Sequence, residues 1–337
     1  MKTALIKLTE INKEEALSRA AEVIKSGGLV VFPTETVYGL GADATDDEAL
    51  NKIFEAKGRP RDNPIIVHIA SPEELRELTN EVYAIEEELI QNFWPGPLTI
   101  IFNKKESVSL VLSGGLETVA VRMPAYPFAR EMVLRAGVPV GAPSANTSGR
   151  PSGTTGLHVL EDLYGKVDLI IDDGPSDIGV ESTVVKVSND KILILRAGAI
   201  TKEMIEGALP GHEVVFALDK KDLDASPGTR YRHYAPHAKL EVISSVEEML
   251  QRGELLVDSA EKVGILCTEE NKKYFKSYEN VFVLGSRNNL SEISKNLYTG
   301  LRFFDFREVS YILCESFQKE GIGAAIMDRL NKASSKA

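Results

Sequence analysis

The sequence predicts an α/β protein of two domains, the larger on a twisted mixed sheet and the smaller on an open, doubly wound one. Three observations lead there. Short apolar runs of strand length alternate with amphipathic helical stretches along most of the chain. The alternation breaks once, after Leu209, in "PGHEVVFALDKKDLDASPGTRYRHYAPHAK", a segment of about 30 residues with little period and many turn formers. At 337 residues the chain is also long enough for two domains of about 150 residues each.

Spacing and capping justify the elements in turn. In "NKEEALSRAAEVIKSGG", Leu17, Ala20, Ala21 and Ile24 share one helical face, and Gly27-Gly28 ends the helix. "LVVFPTE" is a short apolar strand. In "DDEALNKIFEAKG", Leu50, Ile53 and Phe54 repeat the helical spacing, with Asp46 as cap. "PIIVHIA" reads as a strand, and Ser71-Pro-Glu-Glu74 as a capping box with proline at the first helical position. Further strands are expected at "PLTIIF", "TVAVRMP", "VPVGAPS", "DLIIDDG", "STVVKVS" and "ILILRAG", and helices over 81–92, 127–136 and 201–208. Residues 1–209 thus form the larger domain and 210–238 a linker. From Leu240 the alternation restarts with "LEVI", a helix near 245–252, "KVGILC" and "VFVLG". A helix over 291–304, "VSYILCESF" and a closing helix after Gly323 complete a smaller domain over 239–337. The glycines of "EGIGAAIMDRLNKA" lack a full phosphate-binding fingerprint after a strand and read as helix packing.

Composition narrows the classes of function. The chain is 43% hydrophobic and 26% charged, a soluble globular composition. Its first twenty residues lack a signal-peptide core, and no run of about 18 apolar residues occurs, so a cytoplasmic protein with no membrane contact is expected. Cys267 and Cys314 sit in apolar surroundings and read as buried thiols. Five histidines without H-x-x-H spacing argue against a zinc enzyme, and no residue is assigned as a metal ligand. A net charge of −11 argues against diffuse binding to nucleic acid, though not against a local basic groove.

Against that acidic background, "EAKGRPRDNPIIVHI" gathers Lys57, Arg59 and Arg61. A cation at the end of a helix favours its negative dipole, which accounts for Lys57 alone. Arg59 and Arg61 flank Pro60 in what reads as an extended segment, and phosphate binding and surface decoration stand level there. "FPTETVYGLGADA" runs a buried strand into Thr34, Glu35, Thr36, Tyr38 and small residues, where open α/β sheets bind ligands. "VAVRMP" places Arg122 in an apolar strand, which requires a core carboxylate or a ligand anion. "GAPSANTSGRPSG" carries Ser144, Asn146, Thr147, Ser148 and Ser152, as a polar loop or an anion cradle. "GVESTVV" and "ILRAG" add Ser182, Thr183 and Arg196 at strand ends.

Together "KGRPRDNP", "PSAN", "FPTETVYGLG" and "WPGPLT" resemble the YrdC-like family, and the stretch after "SPGTRYRHYAPH" resembles its two-domain form. The resemblance implies a YrdC-like twisted mixed sheet with a concave basic groove, followed by a Rossmann-like C-terminal domain. It implies condensation of L-threonine, bicarbonate and ATP, with Mg2+, to L-threonylcarbamoyladenylate and pyrophosphate. A transferase complex would then modify the adenosine beside the anticodon of tRNA, and direct contact with tRNA is left open. Lys57, Arg59, Ser144 and Asn146 would be catalytic. Arg59, Asn63, Thr118, Ser144, Ser152, Arg196, Tyr231 and Tyr234 would bind ATP, the two tyrosines as a lid. Thr36, His68, Arg122, Ala142, Ser182 and Thr183 would bind threonine, although His68 also reads as a core imidazole. Two rivals stand beside this reading. One is an RNA-binding module without catalysis; the other is carbamoyl transfer to a partner's cysteine, as in hydrogenase maturation proteins.

Overall fold

The computed structural model describes residues 2–227 and 233–335. They fall into two compact units. One comprises 2–148, 153–177 and 181–227, and the other 149–152, 178–180 and 233–335.

The first unit is built on eleven strands. They are Ala4–Lys7 (β1), Val30–Phe32 (β2), Gly39–Asp43 (β3), Val67–His68 (β4), Leu98–Asn103 (β5) and Thr118–Arg122 (β6). Val140–Gly141 (β7), Leu169–Asp172 (β8), Thr183–Ser188 (β9), Lys191–Arg196 (β10) and Glu213–Phe216 (β11) follow. They form one mixed sheet in the order β1-β8-β2-β3-β7-β4-β6-β5-β9-β10-β11. Helices Lys13–Lys25 and Pro127–Ala136 pack Leu17, Ile24, Phe128 and Met132 against Val30, Phe32 and Ile171. A second core gathers Leu50, Ile53, Val67, Ile100, Phe102 and Val121.

Most expected elements are present with shifted ends, and three differences have physical causes. β3 occupies "GLGAD", whose small residues read in the sequence as following a strand end, where ligands bind. Gly39 and Gly41 are glycines because the Phe32 ring lies over them; a Cβ would come within 2.9 Å of that ring at Gly39 and 2.8 Å at Gly41. β4 and β7 each keep only two paired residues of longer apolar runs. β11, inside the stretch expected to lack regular structure, pairs in parallel with β10 after helix Lys202–Ala208, closing the sheet edge. Its alternation is too short to register as a period.

The second unit carries a parallel sheet of Lys239–Ile243 (β12), Val263–Cys267 (β13), Asn280–Val283 (β14) and Tyr311–Glu315 (β15), in the order β12-β15-β13-β14. Helices Val246–Asp258, Leu290–Phe303 and Gly323–Ser334 join and follow the strands, as the alternation predicts. Both cysteines are buried, and burial raises the Cys267 thiol to about 12. Among the described residues no helix is long and apolar enough to cross a membrane.

Candidate functional site

The sheet register assembles the site. Successive lateral partners run Asp43, Val140, His68, Arg122, Thr99, Val184 and Arg196 across β3, β7, β4, β6, β5, β9 and β10. Laterally paired residues share a face, so His68, Arg122, Thr99 and Arg196 lie along one row. All four are buried. Four polar side chains in a row between apolar neighbours are costly unless each finds a partner.

Arg122 finds three. Its Nη2 lies 2.6 Å from Glu35 Oε1, Nη1 donates to Thr36 Oγ1 at 2.9 Å, and Nε donates to the Gly96 carbonyl at 3.3 Å. Thr36 is held in turn by Thr34, whose hydroxyl lies 2.9 Å away. The core-carboxylate reading of Arg122 therefore holds, with Glu35 as the carboxylate. Burial pushes the Glu35 carboxyl up, but the Arg122 charge and the Ala125 and Arg122 hydrogen bonds outweigh it, leaving it below the ordinary range. Next in the row, His68 meets Phe32 edge to face at 6.0 Å. Burial, and then the nearby Arg122 charge, hold its imidazole down to about 3. It is neutral at pH 7, and its Nδ1 has no hydrogen-bond partner among the described residues.

At the far end of the row, Arg196 donates from Nε to the Ser182 carbonyl and from Nη2 to Ser182 Oγ, both at 3.1 Å. Ser182 Oγ lies 2.8 Å from Thr99 Oγ1. The Thr183 hydroxyl donates to the Ile200 carbonyl at 2.6 Å. Ala142 is buried and donates its N–H to the Ile66 carbonyl.

The basic cluster does not act as one patch. Lys57 ends helix Asp47–Lys57, which Asp46 caps through Glu48 and Ala49 N–H and which Gly58 closes at φ 62°. Its side chain turns inward, and Nζ donates to the Ser144 and Asn146 carbonyls at 2.5 and 2.6 Å. Arg59 is half-buried on the Asn63 and Pro64 carbonyls. Arg61 is exposed, and the segment expected to be extended is a turn in which Asn63 N–H returns to the Pro60 carbonyl. Asn63 is fully buried, with neither amide atom partnered among the described residues.

Four consecutive amides of the loop pinned by Lys57 are already bonded within the protein. Ala145 N–H goes to the Tyr38 carbonyl, Asn146 N–H to Ser144, Thr147 N–H to Asp162 Oδ2 and Ser148 N–H to Lys57. What it presents is side chains, with the Ser144 hydroxyl on Asn146 Oδ1 at 2.6 Å.

The structure thus groups Thr36, His68 and Arg122, then Ser182 with Arg196, and Lys57 with Ser144 and Asn146. It does not bring Thr118 to the first group. Thr118 lies opposite Asn103 at the other end of β6, about 13 Å from Arg122 at strand rise. Ser152 and Tyr234 belong to the second unit, where Tyr234 is buried and stacked on Tyr298 at 5.6 Å. Tyr231 lies outside the described residues. Sequence reasoning missed Thr99 and the importance of Glu35. A lone hydroxyl in "PLTIIF" and a carboxylate within "PTET" were the available signals.

A mixed α/β sheet that buries an arginine, a neutral imidazole and a threonine hydroxyl in one row is a candidate site for a small polar ligand. Residues 22–198 match the Sua5/YciO/YrdC family model, described as "Telomere recombination". Residues 200–335 match the model described as the C-terminal domain of threonylcarbamoyl-AMP synthase. The chain belongs to this family. Over 98% of both chains it is 44% identical to a threonylcarbamoyl-AMP synthase of Pyrococcus abyssi. It is also 44% identical to one of Bacillus subtilis, over 94% of this chain and 92% of the relative. The crystal structure of P. abyssi Sua5 complexed with L-threonine superposes with a TM-score of 0.87, at 41% identity over 99% of this chain and 97% of that one.

Proposed function

We propose that this enzyme condenses L-threonine, bicarbonate and ATP into L-threonylcarbamoyladenylate and pyrophosphate, as a nucleotidyltransferase. The carrying observation is that a relative matching nearly the whole chain is a complex with L-threonine, while the row here buries Arg122 beside neutral His68 and Thr36. Arg122 Nη2 has no hydrogen-bond partner among the described residues, and a guanidinium suits a carboxylate. Thr36, His68, Ala142, Ser182 and Thr183 would line the rest of the amino-acid site.

In the proposed reaction the threonine nitrogen forms a bond to the carbon derived from bicarbonate, releasing water and a proton. A carbamate oxygen then attacks the α-phosphorus in line, and pyrophosphate leaves. Each like-charge contact at about 4 Å costs about 4 kcal/mol at an effective dielectric near 20, roughly a thousandfold in rate. Positioned donors therefore carry the catalysis. Asn63, with an unpartnered buried amide, and Arg59 are assigned to phosphate oxygens, and Ser144, Asn146 and Arg196 to the nucleotide. Lys57 acts on the Ser144–Asn146 loop that it pins. The resemblance adds Thr118, Ser152, Tyr231 and Tyr234 for ATP. Mg2+ is assigned to the ATP substrate, as the resemblance implies. The product would pass to a transferase that modifies tRNA.

Pyrophosphate release from Mg-ATP, with threonine or bicarbonate omitted in turn, tests this. Release that needs both and falls at least 100-fold in Arg122→Ala and Lys57→Ala is expected. Release indifferent to threonine would refute the substrate.

A further inference from the structure

The Arg122–Glu35 pair has an unused side. Glu35 is buried, its side chain 11% exposed. Its Oε1 is paired with Arg122 Nη2, 2.6 Å away, and accepts from the Ala125 N–H at 3.1 Å. Its Oε2 is buried and has no hydrogen-bond partner among the described residues. A buried carboxylate oxygen without a donor is among the more expensive features a folded protein can keep. Here the acid stays ionised, because the Arg122 charge and two hydrogen bonds outweigh its burial. The one other orphaned acceptor on this network, His68 Nδ1, is a neutral imidazole whose pKa responds to both Arg122 and Glu35.

We propose that Glu35 Oε2 is the acceptor for the α-ammonium group of the bound amino acid, making Glu35 a specificity-determining residue of the site. The assignment rests on the amino-acid reading above. Arg122 and Glu35 form a fixed pair of opposite charges, and an α-amino acid is a zwitterion with the complementary pair. Docking one on the other brings no net charge into the interior. Arg122 keeps its Nη2 donors for the carboxylate, and Glu35 keeps one oxygen for the ammonium. A ligand with a carboxylate and no amine satisfies only half of this and leaves Oε2 buried and unpaired. Selectivity of this kind, against a missing donor, is the steepest a pocket can build. Glu35 positions the nitrogen and is not the base that frees it, since its carboxyl is held below the ordinary range and is the weaker proton acceptor for that.

The test is calorimetric binding of L-threonine and of (R)-3-hydroxybutyrate, the same molecule without its amino group, to the full-length protein and to Glu35→Gln. Glutamine keeps an oxygen for Arg122 and Ala125 and removes the charge. Wild type should prefer threonine at least 10-fold. In Glu35→Gln threonine should weaken about 10- to 100-fold, while the hydroxy acid changes less than about threefold, so the preference collapses. Preference retained in Glu35→Gln overturns the Glu35 assignment and leaves the substrate reading intact. Absence of threonine binding to the wild type removes both. Should Glu35→Gln fail to fold, the wild-type comparison decides alone, because equal affinity for the two ligands overturns the assignment.

Discussion

At the scale of single residues, the site depends on buried charges that compensate one another. Arg122→Met should show this most clearly. It leaves Glu35 buried without its counter-charge, and breaking such a pair costs about 3–5 kcal/mol. The pH dependence should change sign as well. In the wild type the Glu35 carboxyl is below 4.5, so its stabilisation is present above that value and lost as acid protonates it. Without Arg122 burial prevails and raises the carboxyl, so that stability improves as pH falls from 7 toward 5. Urea unfolding at several pH values measures both slopes, and parallel slopes would refute the coupling. His68 gives a second sign. With its folded value near 3 against an ordinary 6.5, the unfolded chain takes up a proton that the folded chain refuses. Stability should fall with acidification through that window by up to about 1.4 kcal/mol per pH unit. In His68→Gln that part of the slope should vanish. These residues were legible because each interrupts an apolar strand: Arg122 in "VAVRMP" and His68 in "IIVHIA". Which carboxylate answered Arg122 was not legible, because Glu35 lies 87 positions earlier and only the folded sheet brings it near.

At the scale of elements, the least legible feature was what the basic cluster does. "KGRPR" suggests three cations facing one anion, yet the helix end points Lys57 inward while the turn sends Arg59 to carbonyls and Arg61 to solvent. Helix ends are readable from caps, as Asp46 and Gly58 illustrate. The direction of a side chain at such an end depends on which loop packs there, and that is tertiary information. The same limit explains β3, where Gly39 and Gly41 leave room for Phe32 rather than for a ligand. The inward Lys57 makes a definite prediction. In Lys57→Met the Ser144 and Asn146 carbonyls lose a charged donor, and the loop they belong to should open more often. Amide exchange at Ala145, Thr147 and Ser148 should accelerate at least tenfold, beyond any general loss of stability measured in the β5 and β6 amides. Uniform acceleration across both sets would mean that Lys57 supports the fold as a whole and not this loop.

At the scale of the whole molecule, two compact units with separate hydrophobic cores imply two unfolding events. Leu50, Ile100 and Val121 belong to the larger core of the first unit, while Met249, Ile265, Leu313 and Phe275 form one in the second. Cores that share no buried residues need not melt together. The chain contains a convenient reporter, since its one tryptophan, Trp94, is buried in the first unit and donates its indole N–H to the Leu98 carbonyl at 2.8 Å. Tryptophan fluorescence should therefore follow the first unit alone, while calorimetry follows both. A ligand that binds the folded first unit at 100 times its dissociation constant stabilises it by about 2.7 kcal/mol, which is about 5–10 °C for a unit of this size. L-Threonine should thus raise the fluorescence midpoint by that amount, together with one of two calorimetric transitions, and leave the other where it was. A single transition that moves as a whole would show that the two cores unfold as one cooperative body. A fluorescence midpoint unmoved by threonine would place the amino acid away from the row of His68, Arg122 and Thr99.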